Sequence, residues 1–193
     1  MVKKSIKGSQ TEKNLLKSFA GESQARTRYT YFSSVARKDG FEQIANIFME
    51  TAENEKEHAK VFFKFLEGGD VEITASYPAG KIGTTAENLL AAANGEKMEW
   101  GTLYPQFEKI ARQEGFDDVA KAFKEIGEVE EKHEGRYRKL LENVKNGKVF
   151  KKDEVVEWKC LNCGYVHESK EAPETCPACK HPQAFYEVRA ENY

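Results

Sequence analysis

Apolar residues recur every three or four positions along four long stretches of the chain, which is the spacing of one face of an amphipathic α-helix. Two of these stretches begin with a helix-capping pattern, in which serine or threonine is followed three residues later by glutamate: Ser9 with Glu12, and Thr84 with Glu87. Glycines mark several of the helix ends. The pattern predicts an all-α four-helix bundle with helices over residues 9–38, 41–67, 84–114 and 116–145.

The segments outside the helices differ in composition. Residues 70–83 contain Pro78 and two glycines and are poor in helix formers, so they are predicted to form an extended connection that permits a crossover. After the last helix the chain is rich in glycine, proline, cysteine and aromatic residues, which are typical of a small fold stapled by disulfides or a metal. We therefore divide the chain into a bundle (1–147), a linker (148–157) and a small metal-binding β domain (158–193).

The two halves of the bundle are an internal repeat. At an offset of 75 residues, many positions of the first half recur in the second, as His58 does in His133. Glu22 corresponds instead to Glu96, at an offset of 74. The third helix therefore contains one extra residue before Tyr104, which a π-bulge accommodates, and π-bulges are frequent at functional sites. We predict a local distortion of the third helix at this point.

Two Glu-x-x-His motifs, Glu55 with His58 and Glu130 with His133, lie in the second and fourth helices. Residues three apart share a helix face, so each motif directs a carboxylate and an imidazole to the same side. Both motifs fall on the stripe that should be apolar, among Ile44, Phe48, Thr51, Phe62 and Phe65 in one helix and Val119, Phe123, Ile126, Tyr137 and Leu140 in the other. Because unpaired carboxylates in a core cost several kcal/mol each, cations are expected to meet them.

The other two helices each offer one glutamate, Glu22 and Glu96. One glutamate from each of two helices, with a Glu-x-x-His from each of the other two, is a known ligand pattern of di-iron and di-manganese bundles. Carboxylates with imidazole suit iron or manganese. A single Glu-x-x-His is more often an accident of an exposed helix, but two copies preserved by the repeat on apolar stripes favour a two-metal site.

Three further residues are candidates near this site. Glu99 lies one turn after Glu96 and is either a seventh ligand or a solvated glutamate. Tyr29 and Tyr104 lie two turns beyond Glu22 and Glu96, where each can either donate a hydrogen bond to a ligand carboxylate or pack in the core. The sequence leaves both alternatives open.

All four cysteines lie near the carboxyl end as two Cys-x-x-Cys pairs, Cys160 with Cys163 and Cys176 with Cys179. Each pair makes a tight turn whose following amides face sulfur, and two such pairs close a tetrahedral four-thiolate metal site. The spacing leaves iron and structural zinc both open, and disulfides would require an oxidising compartment. The expected small core around the site consists of Trp158, Tyr165, Phe185 and Tyr186.

The composition excludes some partners. The 193 residues carry a net charge of −2 with a pI near 6.2, and lysine and glutamate are interleaved, so nucleic acid is not indicated. No apolar run approaches the roughly 20 residues that span a bilayer, and residues 1–12 contain no hydrophobic targeting segment. We expect a cytoplasmic protein without a membrane partner.

Together these motifs resemble the rubrerythrin family over nearly the whole chain. The motifs that carry the resemblance, in the order of that family, are Gly21-Glu22, Glu55-x-x-His58, Gly95-Glu96-x-x-Glu99, Tyr104-Pro105, Glu130-x-x-His133 and the Cys160 to Cys179 module. The resemblance implies a ferritin-like bundle with a non-haem di-iron centre, fused to a rubredoxin-like domain with one iron on four cysteines. It also implies reduction of hydrogen peroxide to water in defence against oxidative stress. The alternatives are a ferritin-like protein that oxidises and stores ferrous iron, and a binding module with a structural zinc ribbon.

The resemblance also implies roles for the candidate ligands. They are Glu55 and Glu130 as bridges, Glu22, Glu99 and His58 on one iron, and Glu96 and His133 on the other. The first iron is implied to take His58 when reduced and Glu99 when oxidised, in keeping with the preference of ferric ion for carboxylate. The family further implies a head-to-tail homodimer or higher oligomer, and an external electron donor such as rubredoxin or its NADH reductase.

Overall fold

The computed structural model describes residues 4–192, in which a helical bundle precedes a small sheet. The helices are α1 (Gln10–Lys38), α2 (Glu42–Lys64), α3 (Thr85–Met98), α4 (Tyr104–Gln113) and α5 (Asp117–Lys145). A π-helical turn joins α3 to α4, so that α1, α2, the α3–α4 unit and α5 are the four rods of the predicted bundle. None of the helices in the described range is long and apolar enough to cross a bilayer.

Both predicted helix starts are confirmed, with different capping. Thr84 Oγ1 accepts a hydrogen bond from the N–H of Glu87, and the Glu87 carboxylate accepts one from the N–H of Thr84, which completes a capping box. Ser9 Oγ accepts from the N–H of Glu12 at 3.0 Å, but the Glu12 carboxylate accepts from the N–H of Gly8 instead. Caps of this kind contribute about 1 kcal/mol each.

The internal repeat is visible in two equivalent contacts between helix ends. Asp39, at the end of α1, accepts hydrogen bonds from the N–H and the hydroxyl of Thr85 at the start of α3, at 3.1 and 2.7 Å. Glu114, at the end of α4, accepts from the same two groups of Thr11 at the start of α1. Each acid thus satisfies an unpaired N–H of the other half of the bundle. The same type of hydrogen-bonded contact thus joins the two halves at both places.

The predicted distortion of the third helix is confirmed. The π-helical turn covers Glu99–Leu103, between the glutamate and the tyrosine whose repeat offsets differ by one. Pro105 falls in the first turn of α4, where the missing N–H is tolerated. The π-helical turn accommodates the extra residue, and the third helical rod of the bundle continues from α3 into α4.

The connection between α2 and α3 has no helix or strand between residues 70 and 83, as predicted. It is anchored on α1, where the Tyr77 hydroxyl donates a hydrogen bond to the carbonyl of Lys17 at 2.8 Å. The connection is therefore held against α1.

The bundle core consists of two apolar clusters. One contains Tyr29, Phe48 and Tyr137, and the other contains Phe62 and Phe123. Along α5, residues of the second cluster precede the Glu-x-x-His motif and residues of the first follow it, and α2 shows the reverse order. The motifs therefore lie in a polar layer between two apolar clusters.

The carboxyl-terminal domain is a three-stranded antiparallel sheet in the order β2-β1-β3. The strands are β1 (Lys151–Cys160), β2 (Val166–Glu171) and β3 (Tyr186–Val188), with a 3-10 turn before β3. Strand β1 begins inside the segment 148–157 that the sequence assigned to a linker. This exposed, charged stretch lacks the apolar alternation of a half-buried strand, so its pairing with β2 left no signal in the sequence. The predicted aromatic core is present, with Trp158 and Tyr186 fully buried.

Candidate metal centres

Carboxylates and imidazoles from all four rods meet in the polar layer. One group, from α1, α2 and α5, consists of Glu22, Glu55, His58 and Glu130. The other, from α2, α3 and α5, consists of Glu55, Glu96, Glu130 and His133. Within each group the ligand atoms all lie within 4.8 Å of one another. Because Glu55 and Glu130 belong to both groups, the two groups form one centre with two positions that share two carboxylates.

The distances inside the centre place both histidines against the shared glutamates. His58 Nδ1 lies 2.9 Å from Glu55 Oε2 and 2.8 Å from Glu130 Oε1. His133 Nδ1 lies 3.2 Å from Glu55 Oε1 and 2.8 Å from Glu130 Oε2. Each histidine therefore faces one oxygen of each shared carboxylate. This is the arrangement in which one carboxylate can serve two cations.

The buried acids lack enough protein partners. Glu22, Glu55, Glu96 and Glu130 are each at most 1% exposed. Within residues 4–192, at least one carboxylate oxygen of each has no hydrogen-bond partner. Four such carboxylates carry more negative charge than two imidazoles offset, and uncompensated buried charge is costly. Two cations would satisfy both the charge and the unpaired oxygens, and this set of oxygen and nitrogen donors fits iron.

The pKa values follow from burial and from crowding of the acids. Burial, followed by neighbouring carboxylates, raises the pKa values of Glu22 and Glu96 well above the usual range. Burial alone would lower the pKa values of His58 and His133, but the surrounding carboxylates outweigh it and raise them to about 10 and about 12. Burial opposes ionisation of Glu130, yet both imidazoles together lower its pKa to about 2. In the metal-free centre the imidazoles thus supply the positive charge.

We expect the metal-free protein to lose stability as the pH rises from 6.5 to about 10. A histidine whose pKa is raised by folding contributes stability below its unfolded pKa and loses it as the pH rises through the folded value. The raised pKa values of Glu22 and Glu96 act in the same direction, because their ionisation opposes folding. Thermal unfolding of the metal-free protein across this range checks the prediction.

The metal-loaded protein is the control for this titration. Imidazoles that ligate a metal are neutral and do not titrate in that range, so its melting temperature is expected to change less. A metal-free melting temperature that rises with pH over the same interval would contradict the prediction.

Tyr29 and Tyr104 donate to acids of the opposite half of the repeat. The Tyr29 hydroxyl donates to Glu96 Oε1 at 2.5 Å, and the Tyr104 hydroxyl donates to Glu22 Oε1. The second oxygen of each of these two carboxylates has no partner within the described chain. Each tyrosine therefore holds one oxygen of a ligand glutamate and leaves the other oxygen available to a cation.

Glu99 lies outside both groups. It is the first residue of the π-helical turn and is half-buried. A Cβ atom built on Gly21 would lie 3.7 Å from Glu99 Oε1, so the carboxylate lies close beside α1. Burial raises the pKa of Glu99 well above its usual range, and the carboxylates of Glu96 and Glu130 raise it further, which shows that Glu99 is near the centre. In this arrangement His58, and not Glu99, belongs to the first group.

The four cysteines come together at one end of the small sheet. Cys160 Sγ lies 3.7 Å from Cys179 Sγ, and Cys163 Sγ lies 3.7 Å from Cys176 Sγ. A tetrahedron with metal–sulfur bonds of about 2.3 Å has sulfur–sulfur edges of about 3.8 Å, so the spacing fits one ion. The thiols are free, and backbone amides point at the sulfurs. The amide of His181 is the main cause that lowers the pKa of Cys179 to about 6.

Comparison with known sequences decides the family. The rubrerythrin family model matches residues 13–141, and the model of the rubredoxin-like domain of rubrerythrin matches residues 158–187. The chain belongs to the rubrerythrin family. A rubrerythrin from Porphyromonas gingivalis is 63% identical over 190 residues, which cover 98% of this chain and 95% of the relative. A rubrerythrin from Nitratidesulfovibrio vulgaris is 55% identical over 190 residues, which cover 98% of this chain and all of the relative.

The likeness to a solved structure extends over both domains. The fully reduced, all-ferrous state of nigerythrin superposes with a TM-score of 0.63 at 30% identity, and the match covers 96% of this chain and 92% of the other. The predicted fold class, a ferritin-like bundle with a rubredoxin-like domain, is confirmed. As in the rubrerythrin family, the cofactors are two non-haem iron ions in the bundle and one iron on the four cysteines.

A hydrogen-bonded pair beside the centre was not predicted from the sequence. Trp100 Nε1 donates to Glu134 Oε2 at 2.7 Å, and these residues directly follow Glu99 and His133 in the chain. Glu134 is one position off the apolar stripe of α5, and Trp100 lies in the segment that the repeat does not align. The available signal was their adjacency to two candidate ligands.

Proposed function

We propose that the protein reduces hydrogen peroxide to water, taking two electrons and two protons for each peroxide and releasing two water molecules. The observation that carries the proposal is the pair of metal positions that share Glu55 and Glu130, in the same chain as a four-thiolate site. Two adjacent metal ions that each give one electron together supply the two electrons that the reduction of peroxide requires. An iron held by four thiolates can return electrons to the bundle irons. Iron storage does not require such a return of electrons.

The residues that would hold the bundle irons follow from the two groups. Glu22 and His58 would hold one ion, Glu96 and His133 would hold the other, and Glu55 and Glu130 would contribute oxygens to both, with Glu99 as an alternative ligand of the first ion. Bound iron supplies the electrons that cleave the O–O bond. The protein would hold both ions close to one peroxide molecule and limit the access of water, since Glu22, Glu55, Glu96 and Glu130 are each at most 1% exposed.

The tyrosines keep the ligand acids oriented. Burial and the neighbouring carboxylates raise the pKa values of Tyr29 and Tyr104 well above the usual range, so both remain protonated donors. Each hydroxyl fixes one oxygen of Glu96 or Glu22, and the free oxygen stays directed at the metal position. The two tyrosines thus keep Glu96 and Glu22 in place while the charge of the centre changes.

Electrons are proposed to come from the four-thiolate iron of a neighbouring subunit in a head-to-tail homodimer. Within one chain, the small domain packs at the beginning of α2, where the rings of Phe41 and Phe150 stack 6.0 Å apart. Phe41 and Glu55 are fourteen residues apart on nearly continuous helix, a separation of about 20 Å. This long path supports delivery from the partner. We further propose a cytoplasmic location and an external donor such as rubredoxin or its NADH reductase.

The test is anaerobic. The fully reduced protein receives one equivalent of hydrogen peroxide per chain, and the visible absorbance of ferric tetrathiolate is followed. We expect rapid oxidation of the bundle irons, followed by appearance of the tetrathiolate colour. If peroxide leaves the protein unchanged, and a separate aerobic assay shows steady consumption of added ferrous iron and oxygen, the proposal fails and iron handling takes its place.

Replacement of Glu99 by alanine is expected to slow peroxide turnover about tenfold or more, because the oxidised first iron loses its carboxylate ligand. Stopped-flow measurement of the reaction with peroxide checks this. Glu128→Ala is the control, since Glu128 is an exposed acid on α5. An unchanged rate in Glu99→Ala would return Glu99 to the role of a solvated glutamate.

A further inference from the structure

A buried carboxylate ties the π-helical turn to α5. Glu134 is 8% exposed, and its Oε2 accepts the hydrogen bond from Trp100 Nε1 at 2.7 Å. Its other oxygen accepts from Arg138 Nε at 2.6 Å. Over the face of the indole ring, Lys97 Nζ lies 3.7 Å from the ring centroid, within range of a cation–π interaction. Trp100 is thus held by two charged groups of opposite sign.

These contacts link two backbone segments, each of which carries a candidate metal ligand. Trp100 follows Glu99 in the π-helical turn, and Glu134 follows His133 in α5. A hydrogen bond to an ionised group is stronger than one between neutral groups. π-helical turns are rare and persist where the surrounding structure holds them. The Trp100–Glu134 bond is placed to hold this turn.

The internal repeat provides a comparison within the same molecule. At an offset of 75, Glu134 corresponds to Ala59 and Arg138 corresponds to Phe63, neither of which can form such an ionic network. The first half also has a regular α1 where the second half has the π-helical turn. Among the residues that the structure describes, the polar network is therefore confined to the half that contains Glu99.

We propose that the Trp100–Glu134 hydrogen bond is a latch on the π-helical turn that positions the Glu99 carboxylate outside the first metal group. Glu134 and Trp100 are positioning residues, because they act on the metal centre through Glu99. When the latch is broken, the turn rearranges and Glu99 enters the first metal group while the metal is still divalent. The proposal rests on the proposed function only where it concerns peroxide turnover.

The test uses cobalt(II) as a divalent probe of the bundle, in protein whose thiolate site has first been filled with colourless zinc. An additional carboxylate raises the coordination number of cobalt, and its visible absorption then weakens. We expect this loss of absorption in Trp100→Phe and in Glu134→Ala, which break the bond from opposite sides. Glu134→Gln retains an acceptor for the indole N–H and is expected to keep the parent spectrum.

A double variant distinguishes the latch from a general loosening of the bundle. In a Glu99→Ala background, Trp100→Phe is expected to cause no further spectral change, because the carboxylate that it releases is absent. Parent-like cobalt spectra in both single variants would overturn the proposal, and so would a spectral change that persists without Glu99. Loss of helical circular dichroism in both variants would also overturn it, since the bond would then serve folding. Failure of the wild-type protein to reduce peroxide would defeat the proposed function and leave the cobalt result standing.

Discussion

Replacement of Cys160 by serine is expected to abolish NADH-coupled peroxide turnover while the helical bundle remains folded. Cys160 is fully buried and is one of four thiols grouped for a single ion. A serine hydroxyl is a much weaker ligand for iron than a thiolate, so the relay iron loses one of its four attachments. The change lies in the small sheet, whose core is separate from both apolar clusters of the bundle.

A single-turnover measurement distinguishes loss of the relay from loss of the catalyst. When the variant is reduced chemically beforehand, its bundle irons are expected to react once with peroxide at the parent rate. Glu168→Gln, an exposed acid on β2, is the matched control and is expected to turn over normally. Normal NADH-coupled turnover in Cys160→Ser would refute the relay.

The second large effect is expected from Glu130→Gln. This carboxylate is shared by both metal groups and lies 2.8 Å from the Nδ1 atoms of His58 and His133. Loss of its charge is expected to weaken metal binding about 100-fold or more, since even partners outside the ligand shell are worth up to that factor. Iron content after gel filtration and titration with ferrous iron measure the loss.

The same substitution is expected to destabilise the metal-free protein by about 3 kcal/mol, because each of the two buried imidazolium groups loses the ionised oxygen that lies 2.8 Å from its Nδ1 atom. For a chain of this size, that corresponds to a melting temperature lower by about 10 °C. The low pKa of Glu130, about 2, shows that its ionised form is favoured in the folded state.

Glu22→Gln is expected to change the stability of the metal-free protein in the opposite direction. Burial and neighbouring carboxylates raise the pKa of Glu22, so its ionisation at neutral pH opposes folding. The glutamine retains an acceptor for the Tyr104 hydroxyl, and the metal-free variant is expected to be more stable than the parent while it binds metal less tightly. If both variants shift the metal-free melting temperature in the same direction, the electrostatic account of the centre is wrong.

The sequence predicted the large features of the fold because they depend on local periodicity. The apolar stripes through Phe48 and Phe123 are buried as expected, and the capping residues begin the helices where predicted. The one-residue difference in repeat offset located the π-helical turn. Strand β1 begins inside the segment 148–157 that was predicted as a linker, and its first residues are exposed and charged. Strand pairing at an exposed edge leaves no periodic signal.

The candidate ligands were also visible in the sequence, but their grouping was not. Spacing along a helix assigns Glu130 and His133 to one face, yet it does not determine which groups from other helices meet them. The structure pairs Tyr29 with Glu96 and Tyr104 with Glu22, across the two halves of the repeat. It also leaves Glu99 outside both groups.

By itself, the sequence determined a repeated four-helix bundle with acidic residues on its apolar stripes and a four-cysteine domain, because helix period, capping and Cys-x-x-Cys spacing are local properties. Only the tertiary structure decided that Glu55 and Glu130 belong to both groups of candidate metal ligands. It also decided that Trp100 is fastened to Glu134. These relations join residues that are distant in sequence, and they depend on how the helices are rotated and packed against one another.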